Sequence, residues 1–242
     1  MIKSWIARWR DTALNRAPLA PTVPFYAIGD IHGRFDLLTR LLDQLDPAHP
    51  VICVGDYIDR GEASAEVLRQ LSTQTDILCL MGNHEDMLLG FLDDPEHNGS
   101  RWLRNGGLQT LASFGVSGIT ETATGDDLKR ARDAMGAAMG LDLITWLRGL
   151  ALWHQSGNVF VCHAGAAPQA SLEDQQDRHL LWGHPEFAKT ARSDGNWVLH
   201  GHTIVDSASA QNTRISIDTG AFATGRLTAA LVQPGKVEFI ST

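Results

Sequence analysis

Apolar and polar positions along the chain fall into blocks that switch between two periods. Phe25-Tyr26-Ala27-Ile28 is a short apolar run that predicts a buried strand, and Phe35 to Leu45 then carries Leu37, Leu38, Leu41, Leu42 and Leu45 at the spacing of one helix face. Val51 to Val54 repeats the strand signal, Ala63 to Leu71 the helical one, and Ile77 to Met81 the strand once more. This β-α-β-α-β order predicts a parallel sheet with right-handed crossovers. Residues 86–155 differ: Met87 to Leu92, Arg101 to Phe114 and Asp126 to Leu152 read as helical, interrupted at Asp94-Pro95, at Asn105-Gly106-Gly107 and from Gly115 to Gly125. No strand is expected in this helical insertion. Strands return at Val159 to Cys162, Trp197 to Leu199, Arg214 to Ile217, Leu227 to Val232 and Lys236 to Ile240, with Gln233-Pro234-Gly235 as a hairpin turn, so the second half is expected to supply a second sheet.

Every strand of the first half runs into a polar cluster: Gly29-Asp30-Ile31-His32-Gly33, then Gly55-Asp56-Tyr57-Ile58-Asp59-Arg60-Gly61, then Gly82-Asn83-His84-Glu85. Asp30 to Asp56 is 26 positions and Asp56 to Asn83 is 27, close to the interval of one strand-plus-helix unit. All three clusters therefore fall on one sheet edge, at the carboxyl ends of the strands where active sites of open α/β sheets collect. The later strands deliver His163-Ala164-Gly165 and His200-Gly201-His202-Thr203. Carboxylate, amide oxygen and imidazole suit hard or borderline divalent ions, which need no thiolate. Asp30 and His32 can reach one ion, Asp56 can bridge two, and Asn83, His163 and His202 can complete the second. Two ions about 3.5 to 4 Å apart can hold a hydroxide at neutral pH and bind two phosphoryl oxygens. That is the chemistry of a phosphoester hydrolase, and the insertion would lie beside or over it and shape access.

Composition narrows the setting. The chain has 242 residues, enough for a substantial core, with 43% apolar and 20% charged residues. A net charge of −8 argues against general nucleic-acid backbone binding, because phosphates would be repelled. No apolar run approaches the length of a membrane span. Cys53, Cys79 and Cys162 sit in apolar runs without a CxxC pair, which predicts buried thiols and fits a reducing cytoplasm. At the amino terminus Ile2, Trp5, Ile6 and Trp9 recur at helical spacing, while residues 1–17 hold four basic side chains (Lys3, Arg8, Arg10, Arg16) against Asp11. An amphipathic helix docking on the domain or on a partner subunit is expected, a membrane surface being the alternative. Residues 17–24 read as a linker, so the division is a helix and linker over 1–24 and one domain over 25–242, with the insertion at about 86–155.

The five blocks Gly29 to Gly33, Gly55 to Gly61, Gly82 to Glu85, His163 to Gly165 and Gly201 to Thr203, taken in order, resemble the signature blocks of the calcineurin-like metallophosphoesterases. The likeness is greatest to the phosphoprotein phosphatase branch in its compact bacterial and phage form, and it covers about residues 25–240. It implies an α/β fold: a two-sheet β-sandwich flanked by helices in four layers, α/β/β/α. It also implies two divalent ions, manganese foremost and iron, zinc or magnesium as alternatives. Asp30, His32 and Asp56 would hold the first, and Asp56, Asn83, His163 and His202 the second. In the same pattern His84 is the general acid for the leaving alkoxide, Asp59 its orienting carboxylate, and Arg60 the side chain that holds phosphate oxygens. A histidine beside a carboxylate is favoured as imidazolium, which suits proton donation, and the arginine fork matches phosphate. Asn105 matches a loop near the substrate. One departure stands out: the bacterial and phage branch carries a Trp-x-Arg element whose arginine binds phosphate, whereas this chain reads Leu181-Trp182-Gly183-His184-Pro185. His184 is then either a weaker, pH-dependent donor or the mark of a lost clamp. His200 and Asp218 are read as supporting residues and the tryptophans as core, with Trp102 in the insertion the one that could sit over the pocket.

The expected activity is hydrolysis of phosphomonoesters, foremost phosphoserine and phosphothreonine in proteins, by in-line attack of metal-bound hydroxide. Its partner would be a phosphorylated protein or a small phosphoester. The enzymatic rival is symmetrical cleavage of dinucleoside tetraphosphates, which would call for stacking rings and added cations in the insertion, where Arg101, Trp102 and Arg104 are the candidates. A metal-bound interaction module without turnover is a third reading, motivated by His184 and the amino-terminal helix.

Overall fold

The short strands hold because alternate side chains enter different cores. The structure, a computed structural model, describes residues 17–242. The expected amphipathic helix lies outside these described residues. In β1 (Phe25–Ile28) Phe25 and Ala27 join one apolar cluster and Ile28 another, and in β2 (Val51–Cys53) Ile52 and Cys53 divide in the same way. Residues of β3 (Ile77–Cys79) complete a parallel trio, with Ala27 opposite Ile52 and Ile52 opposite Leu78. Two helices, α1 (Phe35–Leu42) and α2 (Ser64–Thr73), cover the outer face with Leu37, Leu38 and Leu41 and with Val67, Leu68 and Leu71.

The insertion supplies α3 (Asn83–Asp93), α4 (Pro95–Trp102), a π-helical turn at Leu103–Gly107, α5 (Leu108–Ser113), α6 (Asp126–Met139) and α7 (Leu141–Arg148). The single helical stretch expected from Asp126 to Leu152 is broken at Gly140, whose φ of 77° an L side chain rarely adopts. Where no strand was expected, β4 (Trp153–Ser156) pairs antiparallel with β5 (Val159–Cys162). Its Trp-His-Gln-Ser run has no apolar alternation, and its place comes from the partner strand, on which Trp153 stacks through Phe160 at 5.2 Å.

After β5 the chain forms α8 (Asp177–Trp182), β6 (Trp197–His200), β7 (Ser209–Gln211), β8 (Arg214–Ser216), α9 (Ala221–Thr224), β9 (Thr228–Gln233) and β10 (Lys236–Ser241). The sheets run β10-β9-β1-β2-β3 and β4-β5-β6-β8-β7. This corrects the expectation that all late strands build the second sheet. Leu231 and Ala230 pair with Tyr26 and Ala27, so β9 and β10 return to extend the first sheet. Ala27, Ile52, Val54, Val159, Val161, Leu199, Ile215 and Ala230 fill the space between the sheets, while Phe160, Cys162 and Val198 face outward beneath Leu172, Leu180 and Phe187. The layers are therefore α/β/β/α, and all three cysteines are buried as free thiols. Among the described residues no helix is long and apolar enough to cross a membrane.

Residues 17–24 are strapped to the second sheet rather than hanging free. Asn158 Nδ2 donates to Pro18 O, its Oδ1 accepts from Ala20 N, and Trp197 Nε1 donates to Ala17 O. Behind this strap a buried Arg192 ties two loops, donating to Ala167 O, Ala170 O and Asp194. Burial alone would raise the Asp194 carboxyl, but the hydrogen bonds from Arg192 and Asn196 outweigh it and bring it down to about 2. A folded-state value below the unfolded one means that this tie stabilises the protein above about pH 4 and is lost as pH falls towards 2. Asp194→Asn is expected to flatten the acid limb of stability in that window, measured as urea midpoint against pH. An unchanged acid limb would remove Asp194 from the account.

Candidate metal centre and active site

Each functional side chain leaves the sheets where a strand gives way to a turn, and the turns are strained. Among the described residues seven non-glycine positions have positive φ, and five of them are here: His32 (45°), Asp56 (54°), Asp59 (70°), Arg60 (68°) and His202 (60°). Each costs of order 1 kcal/mol, and surrounding contacts must enforce it. Much of that enforcement comes from Glu85, whose buried carboxylate accepts N–H groups from Asp56 (2.8 Å), Tyr57 (2.8 Å) and Gly82 (3.0 Å). One carboxylate thus locks the β2 turn to the start of α3. Gly82 is required at that junction, because a Cβ there would overlap the amide and carboxylate of Asp56.

Asp56 is the hub. Its Oδ1 lies 3.3 Å from His163 Nε2, and its Oδ2 lies 3.5 Å from His32 Nε2 and 3.7 Å from His84 Nε2. Two groups of side chains have ligand atoms within 4.8 Å of one another, His32 with Asp56 and His84, and Asp56 with His163 and His202. They share Asp56. Asn83 Oδ1 is 2.8 Å from His163 Nε2.

The donor chemistry fits cations. His32 Nδ1 donates to Ile58 O (2.8 Å) and His163 Nδ1 to Val54 O (3.1 Å), so both Nε2 atoms present lone pairs beside the Asp56 carboxylate. Burial pushes His32 down to about 3 and His163 to about 4, so neither carries a proton at neutral pH to relieve that crowding of acceptors. Burial would likewise raise the Asp56 carboxyl, but His163, His84 and His32 outweigh it and hold it below the ordinary carboxylate range. Imidazole and carboxylate donors without thiolate suit borderline divalent ions.

His84 differs from its neighbours. Its Nδ1 donates to Asp59 Oδ2 at 2.6 Å; burial opposes protonation, yet the Asp56 charge and the Asp59 hydrogen bond prevail, and its pKa is raised. Asp59 is held in turn by Trp102 Nε1 (3.0 Å) and Thr110 Oγ1 (2.6 Å). Arg60 Nη1 donates to His32 Nε2 (3.0 Å) and its Nη2 lies 3.2 Å from His84 Nε2, and its backbone N–H reaches Gly106 O in the π-helical turn. Gly106 has φ 105°, and a Cβ there would press on the Arg60 backbone at 2.7 Å.

A model of the calcineurin-like phosphoesterase family matches residues 23–206. The chain belongs to that family. Relatives similar to this phosphoesterase carry two different named activities. It is 33% identical over 157 residues to a symmetrical bis(5'-nucleosyl)-tetraphosphatase of Pseudomonas fluorescens, covering 62% of this chain and 45% of that protein. It is 28% identical over 217 residues to serine/threonine-protein phosphatase 2 of Salmonella typhimurium, covering 84% and 89%. The chain thus spans about half the length of the tetraphosphatases it matches. A candidate diadenosine tetraphosphatase of known structure superposes with a TM-score of 0.63 at 19% identity, over 93% of this phosphoesterase and 98% of that chain, a likeness of fold.

The phosphoesterase fold brings His32, Asp56, Asn83, His84, Asp59, Arg60, His163 and His202 to one floor. Asp30 is buried in the same floor but belongs to neither ligand group, its two oxygens accepting the His202 N–H at 3.0 Å. Asn105 lies in the turn beside Arg60, its amide nitrogen donating to Arg101 O. His184 lines a cleft with Trp182 and His202, and its Nδ1 accepts the Glu186 N–H. Trp102 belongs to the core, as expected of the tryptophans, and does not stand over the pocket: it is fully buried against Phe91, with its indole N–H on Asp59. His200 donates to its neighbour's carbonyl and pairs with Ser216, and Asp218 caps a turn through Gly220 N. Sequence reasoning missed the part of Glu85, although its place three residues after the helix-capping Gly82 is a capping signal. It also missed Thr110 and Phe222, which carry no local mark.

Proposed function

We propose that the chain is a dinuclear-metal phosphomonoesterase acting on phosphoserine and phosphothreonine in proteins. The observation that carries this reading is the buried His84–Asp59 pair at 2.6 Å beside Asp56, with Arg60 alongside. Asp30, His32 and Asp56 would hold one ion and Asp56, Asn83, His163 and His202 the other. Bound there, two divalent ions, manganese by preference, polarise phosphoryl oxygens and activate water at neutral pH.

The chain's own groups supply the rest. Asp59 fixes the His84 ring and favours its charged form, so Nε2 carries a proton for the departing serine or threonine oxygen. Arg60 now rests on the His32 Nε2 lone pair with its other arm beside His84, and a dianionic phosphate is a stronger acceptor for its fork. Asn105, in the turn that holds Arg60, and His184, in the cleft it shares with His202, would add contacts to the same phosphate or its leaving group.

The tetraphosphatase reading is the second one, favoured by the 33% identity to the Pseudomonas fluorescens protein. The fuller alignment with the Salmonella typhimurium phosphatase, 89% of its length, supports the protein phosphatase instead. With added Mn²⁺, hydrolysis of a phosphoserine peptide is expected to exceed that of diadenosine tetraphosphate in kcat/KM. Preference for the nucleotide would overturn the choice.

A further inference from the structure

Two guanidiniums flank the candidate metal centre, and each stands over an aromatic ring. Arg60 has its Cζ 4.7 Å from the Phe222 ring centroid, and Arg101, carried by α4, has its Cζ 4.3 Å from that of Trp182. Their aromatic partners stand against different histidines. Phe222 packs on His32 at 5.3 Å, and Trp182 meets His202 edge to face at 6.3 Å. Arg60 therefore touches the His32–Asp56–His84 group, and Arg101 is joined to the Asp56–His163–His202 group through Trp182.

The surroundings of Arg101 leave its charge available. Its guanidinium is exposed and makes no hydrogen bond or ion pair among the described residues; the exposed Asp86 feels its charge without pairing to it. It lines a cleft of about 390 Å³ in which the other cation, Arg148, is already paired with Asp93. Meanwhile His184, on the same segment as Trp182, is engaged locally by Glu186 N and by the His179 ring at 4.7 Å. A guanidinium resting on an indole keeps its N–H edge open and gives up little further freedom on binding.

We propose that Arg101, held in place by Trp182, is a second phosphate-binding residue, supplied from the insertion to the His202 side of the site. It rests on the phosphoesterase reading of the centre. Its ligand is a phosphate oxygen, either of the phosphoryl group being transferred or of a neighbouring phosphate in a polyphosphate chain.

The test uses the full chain loaded with Mn²⁺. Inorganic phosphate is titrated by calorimetry, and KM is measured for an aryl monophosphate and for diadenosine tetraphosphate. Arg101→Ala is expected to weaken phosphate binding about tenfold, the loss of one or two charge-assisted hydrogen bonds, with kcat changed far less than KM. Arg101→Lys should recover part of the loss, and Trp182→Leu should cost a few-fold by releasing the side chain. Weakened phosphate binding together with raised KM for both substrates assigns Arg101 to the transferred group. A raised KM for the tetraphosphate alone assigns it to a neighbouring phosphate. Unchanged phosphate binding and unchanged KM for both substrates would overturn the proposal, as would loss of Mn²⁺ from Arg101→Ala. A wild-type protein that hydrolyses nothing yet binds phosphate through Arg101 would instead remove the phosphatase reading and leave this inference standing.

Discussion

Replacing Asp56 by asparagine is expected to reduce hydrolysis of an aryl phosphate by about 10³-fold or more and to release bound metal, the largest single effect available in this site. The reason is position. Among the described residues Asp56 alone has carboxylate oxygens within 3.7 Å of His32, His84 and His163, and it is the member common to both ligand groups. On the proposed assignment, removing its charge would take a ligand from two ions at once. Asparagine also tolerates the positive φ of 54° at this residue, so the variant should remain folded. Metal content of the dialysed protein, read beside kcat/KM and the melting temperature, checks the claim. A variant that keeps two ions and full activity would dismantle the shared-ligand account.

His84→Asn should act on chemistry in a way that depends on the leaving group. A phosphoserine alkoxide is a poor leaving group and needs a proton, so kcat on the peptide is expected to fall roughly 10²- to 10³-fold. A nitrophenolate leaves without one, and its kcat should fall less than about tenfold. The contrast separates two roles that distance alone joins, because His84 Nε2 lies only 3.7 Å from Asp56 Oδ2, within reach of a metal ligand's place. Equal losses on both substrates, with metal released, would make His84 a ligand instead of a proton donor. Asp59→Asn should follow His84→Asn in its leaving-group dependence, since Asp59 has no reach to phosphorus except through the imidazole it orients at 2.6 Å.

The chain's own residues determined the strand-end clusters and their meeting on one edge. Asp30, His32, Asp56 and Asn83 follow short apolar runs at nearly equal intervals, and a parallel sheet turns equal intervals into one common edge. Such signals are local: period-two burial, glycine at the turns, and carboxylate or imidazole where a core would not tolerate it. Only the tertiary structure decided the remainder. Late strands β9 and β10 are no less apolar than β6 and β8, and their return to β1 depends on which sheet edge was left to pair. Asp59 meets Trp102 and Thr110 across 43 and 51 positions, and Arg101 meets Trp182 from a separate helix. No period or spacing marks such contacts. Hydrogen-bond and stacking partners are selected by the packing of whole elements, after each element's own pattern has been satisfied.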